Sequence, residues 1–174
     1  MNKHRYQAKS LQQVDWAKVA RDLEGQRLVV AVDVAKEDFV AALLVEPQQA
    51  LVTIKWQHPL QTRELGHRLG ELPASQVEVV LEPSGTYGDS VREHLRALGF
   101  KIYLISPKRV HDAAEIYDGV PSLHDAKAAY LIARLHLEQS KEQSKGSGST
   151  YGSDNMSLAF NGRRRTTGAA LPLH

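Results

Sequence analysis

Three carboxylates occupy positions from which together they can hold a cation. Asp33 closes the apolar run Leu28-Val29-Val30-Ala31-Val32, Glu82 follows the run from Val77 to Leu81, and Asp125 falls in the first turn of the last predicted helix. Hard divalent cations such as magnesium take oxygen ligands. Carboxylates crowded together away from water are costly unless a cation holds them. Two such ions about 3.5–4 Å apart activate an attacking oxygen and stabilise the leaving oxygen of a phosphodiester. Each acid alone has an ordinary explanation. An Asp after a strand is often a turn residue, and Asp125 has the sign that suits a helix N-terminus. Glu82 is less ordinary, since a turn before Pro83-Ser84-Gly85 would favour Asp or Asn.

The elements that must position these acids follow from the apolar pattern. Residues 28–32 are continuously apolar and rich in β-branched side chains, as in a strand buried on both faces. Residues 39–45 and 51–56 are two more strands, separated by a turn at Glu46-Pro47-Gln48-Gln49. Connections this short imply an antiparallel meander. Helices are predicted over 10–24, 60–71, 86–98, 107–117 and 124–138, with Ser10 or Asp15 capping the first and Gly25 ending it. Residues 77–81 and 100–105 are strands four and five. The order is β-β-β-α-β-α-β-α-α after the leading helix. It predicts an α/β, ribonuclease H-like mixed sheet: three antiparallel strands, two parallel strands with right-handed crossovers, and flanking helices. In open sheets of this kind, sites form outside the carboxyl ends of the strands, where Asp33 and Glu82 are expected.

The chain has 174 residues and is 42% hydrophobic, enough for one well-packed domain. It contains no cysteine, which excludes disulfides, thiolate catalysis and cysteine zinc sites and suits the cytoplasm. No apolar run approaches the roughly 18 residues of a membrane span. The N-terminus MNKHRYQAKSLQQ lacks the apolar core of a secretory signal. The net charge of +2 is uneven. Residues 139–174 carry Lys141, Lys145, Arg163, Arg164 and Arg165 against Glu142 and Asp154, so this segment is +3 and the rest −1. A nearly neutral core is not the footprint of a free-standing, tight nucleic-acid binder. Metal ions or another domain must supply much of any attraction to a polyanion.

Three segments together resemble a known family. AVDVAKEDF (31–39), LEPSGTYG (81–88) and GVPSLHDAKAAYLIARL (119–135) look like the motif regions of DEDD-type insertion-sequence transposases. This is the one-ten family, which includes the Piv-type DNA invertases. The resemblance spans about residues 27–138. It implies a RuvC-like domain there, preceded by an N-terminal arm and helix (1–26) and followed by a flexible Gly/Ser-rich linker and tail (139–174). It also implies a magnesium centre, in which manganese can substitute, with Asp33, Glu82 and Asp125 as its first three acids. DNA is the implied substrate. A structured bridge RNA and further copies of the chain are implied partners, with a cytoplasmic, nucleoid-associated location.

The sequence departs from the family pattern in two places. The fourth acid is expected three residues after the third, but Ala128 stands there. Residues i and i+3 share a helix face, so a carboxylate at 128 would complete a pair gripping one ion. Asp112, Glu115 and Asp118 are the candidates to substitute for it. The family's serine-bearing domain is also expected to follow, and the polar residues after Glu138 do not resemble one. Ser147, Ser149, Ser153 and Ser157 read as solvated linker. The chain alone is therefore expected to be inactive in strand exchange.

Lys108, Arg109 and Lys127 are weaker candidates for phosphate contact, and Arg163–Arg165 for nonspecific attraction. His111 and His124 are the histidines expected nearest the acids, but no two His have a metal-ligand spacing. Ser84-Gly85-Thr86 is no Walker loop. A ribonuclease H or exonuclease type of nuclease would carry an acid two residues after the first Asp, where Ala35 stands. A sugar-kinase or actin-like ATPase would need glycine in Asp33-Val34-Ala35-Lys36. A non-catalytic scaffold binding guide RNA or a partner subunit is the remaining alternative.

Overall fold

The apolar run from Leu28 becomes the centre of a six-stranded sheet. The structure, a computed structural model, describes residues 7–36, 38–83, 85–118 and 125–145. The side chains of Glu115, Tyr117, Asp118, Asp125 and residues 142–145 lie outside that description. In chain order the elements are β1 (Lys9–Ser10), a 3-10 turn (Leu11–Gln13), α1 (Trp16–Leu23), β2 (Arg27–Asp33), β3 (Asp38–Val45), β4 (Gln49–Gln57), α2 (Thr62–Glu71), β5 (Gln76–Leu81), α3 (Gly85–Ala97), β6 (Lys101–Leu104), α4 (Pro107–Asp118) and α5 (Asp125–Lys145).

The sheet order is β1-β4-β3-β2-β5-β6. Strands β2, β3 and β4 form the antiparallel meander, and β5 and β6 extend it in parallel beyond β2. This is the predicted ribonuclease H-like arrangement. Strand β1 is an addition. It pairs in parallel with Ile54–Lys55 of β4, and two polar residues give no periodic signal by which to foresee it. The predicted helix 10–24 is divided. Val14 is extended, and the Asp15 carboxylate accepts from the Lys18 amide at 2.9 Å, which starts α1 there. Helix α5 runs on to Lys145. Its last residues, LEQSKEQSK, are mostly good helix formers despite their polarity.

Strand alternation sorts the core into two layers. Leu28, Val30, Val32, Val79 and Leu81 pack with α1, α2 and α3 on one side of the sheet. Val29, Ala31, Ala42, Leu44 and Val80 pack with α4 and α5 on the other. On the first side α2 and α3 approach closely: a Cβ on Gly66 would collide with Leu98 Cδ1. Phe39 and Trp56 meet edge to face at 5.6 Å, an arrangement worth about 1 kcal/mol beyond area burial. On the second side α5 approaches through small residues. Ala129 and Ala133 are fully buried against a layer that includes Ala31 and Ala42. Among the described residues no helix is long and apolar enough to cross a membrane.

Candidate metal centre

The parallel ladder between β2 and β5 pairs Val32 with Leu81. Asp33 and Glu82 are the next residues on these neighbouring strands, so they leave the sheet side by side at its C-terminal edge. Alternation also fixes which layer they face. Val29 and Ala31 belong to the α5 layer, and position 33 continues their parity. On β5, Glu78 bonds to α5 and Val80 packs in the same layer, and position 82 continues theirs. After Glu82 the chain must turn sharply into α3. Gly85 does this with a φ of 53°, a left-handed conformation that costs glycine little and other residues more.

Helix α5 brings its first residue, position 125, to the same edge. Lower on the helix, His136 Nε2 lies 2.7 Å from Glu78 Oε2, and Gln48 Nε2 donates to Glu138 Oε1 at 3.3 Å. Gln48 lies in the turn after Val45, which pairs with Leu28 at the start of β2. The later part of α5 therefore lies at the N-terminal end of β2, and its first residue at the end where Asp33 and Glu82 emerge. Position 125 precedes His136 by eleven residues, three helical turns plus about 20°. It thus shares a stripe with Ala129, Ile132 and His136, all buried. The side chain of Asp125 is outside the described residues. Among the described residues no three His, Asp or Glu side chains converge.

The two described acids differ in surroundings. Glu82 is half-buried, and burial pushes its carboxyl above the usual range. It forms no hydrogen bond or ion pair with a described residue. Asp33 is also half-buried and interacts with a neighbour. Two carboxylates leaving the sheet side by side, one of them desolvated and without a partner among the described residues, fit a hard divalent cation. Position 128, one turn along from Asp125, is buried, so the methyl of Ala128 occupies a shielded place.

The remaining candidates are dispersed. Lys108 and Arg109 are exposed in the first turn of α4. Lys108 Nζ bonds Asp112 at 2.6 Å, which raises the Lys108 pKa and lowers that of Asp112. Asp112 is thus an exposed partner of Lys108, and His111 is exposed beside it. Lys127 is only 6% exposed and is engaged within the chain. The side chains of Glu115 and Asp118, and His124, Ser147, Ser149, Ser153, Ser157 and Arg163–Arg165, lie outside the described residues.

Two polar clusters escaped sequence reasoning. One joins Glu78, His136 and Arg27 between β5, α5 and β2. Its signal was a lone Glu inside the strand QVEVVL and a His within the apolar stretch of α5. The other surrounds His58. Its Nδ1 lies 2.8 Å from Thr62 Oγ1 and its Nε2 2.9 Å from Ser90 Oγ, and Phe39 stacks on the ring at 4.9 Å. Burial, then the nearby His94, lowers the His58 pKa.

A family model described as a transposase, of the DEDD type and the one-ten family of insertion sequences, matches residues 30–152, a span containing all three acids. Among solved structures the chain is similar to T. thermophilus RuvC in complex with a Holliday junction substrate. The TM-score is 0.49 at 14% identity, over 68% of this chain and 97% of that one. No curated protein matches the chain.

Proposed function

The chain belongs to this DEDD family of transposases, and from that premise we propose that Asp33, Glu82 and Asp125 form one divalent-metal centre acting on DNA phosphodiesters. The observation that carries the reading is the adjacency of Asp33 and Glu82 beyond the Val32–Leu81 pair, on the layer of the helix that Asp125 opens. Glu82, half-buried and without a partner among the described residues, supports a cation rather than an internal ion pair.

Asp33 is held by the central strand, Glu82 by its parallel neighbour, and Asp125 by the first turn of α5. Rigid elements thus present the acids with little freedom to lose on binding. Magnesium, or manganese in its place, supplies charge neutralisation and Lewis acidity at the phosphodiester when bound. With Ala128 in place of a fourth carboxylate, the centre holds its ion less tightly than a four-acid set and the chain is inactive by itself. Lys108 and Arg109, exposed at the start of α4, would meet the phosphate backbone. Family likeness adds a structured guide RNA and assembly of several copies.

The test is retention of duplex and four-way branched DNA in a native gel, with magnesium and with chelator. Magnesium-dependent retention that Asp33→Asn removes supports the metal-centred reading. Metal-independent binding, equal in Asp33→Asn and stronger for structured RNA, would replace it with a non-catalytic scaffold.

A further inference from the structure

The centre proposed above requires α5 to stop at one height along the sheet. Ala126, Ala129 and Ala133 pack with the larger Tyr130, Ile132, Leu135 and Leu137 against a layer that includes Ala31 and Ala42. Apolar burial is non-directional. A directional buried pair can supply what packing does not, and fixing register is the best-attested use of such groups.

Glu78 and His136 are such a pair. Both are buried, at 5% and 7% exposure, in the middle of β5 and α5. His136 Nε2 meets Glu78 Oε2 at 2.7 Å. The other oxygen, Oε1, accepts from Gln76 Nε2 at 2.8 Å and lies 3.8 Å from Arg27 Nη1. Arg27 is held in turn by Glu46 at 3.1 Å. The Tyr103 ring lies against the imidazole at 4.7 Å between centroids. Strands β2, β5 and β6 therefore all brace a single contact with α5.

From this contact the geometry runs to the acidic edge. Four residues along β5 from Glu78, about 13 Å, lies Glu82. Eleven residues back along α5 from His136, about 16 Å, lies Asp125 on the same helical stripe. The two acids thus come level within one helical turn.

We propose that His136 is a positioning residue, which locks α5 to Glu78 and thereby sets Asp125 level with Asp33 and Glu82. The proposal rests on the metal-centre reading for its functional consequence, but the register itself can be read without metal.

The chain has no cysteine, so nitroxides can be placed at K55C on β4 and S140C on α5, and their separation measured by pulsed electron resonance. Manganese affinity is measured in the same full-length variants, and a cooperative thermal transition confirms folding. His136→Leu is expected to shift or broaden the nitroxide distance by several ångströms, about one turn, and to weaken manganese binding about tenfold or more. His136→Gln, which keeps an N–H donor near the Nε2 position, is expected to restore the distance and to bind within about threefold of the parent. If His136→Leu does not fold, Glu78→Ala, which removes the acceptor of the His136 contact, takes its place with the same expectations. A folded variant lacking the pair that keeps both the distance and the parent's affinity would overturn the proposal. A distance that shifts, in a parent that binds no manganese or binds it equally with Asp33→Asn, keeps the register lock and sinks the metal reading alone.

Discussion

Asp33 and Glu82 stand one residue beyond the paired Val32 and Leu81, on two parallel strands at the heart of the sheet. Strand spacing keeps residues at that step about 5 Å apart in the backbone, a separation at which two carboxylates repel unless protonated or bridged. The raised pKa of Glu82 comes from burial.

The approach of α5 to the sheet depends on alanine. Ala133 is fully buried in the layer containing Ala31 and Ala42. Ala133→Leu is expected to cost about 1–3 kcal/mol through overpacking and to weaken manganese binding by lifting the helix. Urea unfolding and calorimetry check both. A variant that overpacks without altering metal affinity would show that the acids do not depend on α5.

Acidification should destabilise the α2–α3 side. Burial and the neighbouring His94 hold the His58 pKa below its ordinary value of 6.5. The unfolded chain therefore binds the proton more readily, so His58 contributes stability above 6.5 that is lost as pH falls through the folded value. Its other neighbours, Thr62, Ser90 and Phe39, carry no charge. The melting temperature should fall between about pH 7 and 5, and fall less in His94→Gln. An equal fall in both proteins would remove His94 from the account.

Glu78 predicts a second loss at lower pH. Burial pushes its carboxyl up, but the His136 hydrogen bond and the charges of Arg27, His136 and Lys101 outweigh burial and hold it below its ordinary 4.5. Gln76 and Tyr103 complete its surroundings. A depressed carboxyl stabilises the fold above its unfolded value and loses that contribution as pH falls through the folded one. Glu78→Gln should melt below the parent at neutral pH, and the gap should close on acidification below 4.5. A gap that stays constant to about pH 3 would show that the loss on substitution is not electrostatic.

The central strands were legible because burial on both faces leaves a continuous apolar run, as at Leu28–Val32, and the meander because its turns are short. Asp33 and Glu82 could be read as site candidates because each directly ends such a run. Asp15 divided a predicted helix because its capping bond competes with helix continuation, an outcome that periodicity does not encode. The polar end of α5 kept its helix through local propensity, where composition suggested a linker. The Glu78–His136 contact spans 58 residues. Long-range polar pairing of that kind leaves only a buried charge in an apolar stretch as its trace.

The most direct test of the central claim is a calorimetric titration with manganese of the parent chain, Asp33→Asn and Ala128→Asp. Asp33, Glu82 and Asp125 as one centre predict that the parent binds, that Asp33→Asn abolishes binding, and that Ala128→Asp strengthens it by adding a carboxylate one turn from Asp125. Equal binding by all three proteins, or none by any, would contradict a metal centre at this edge.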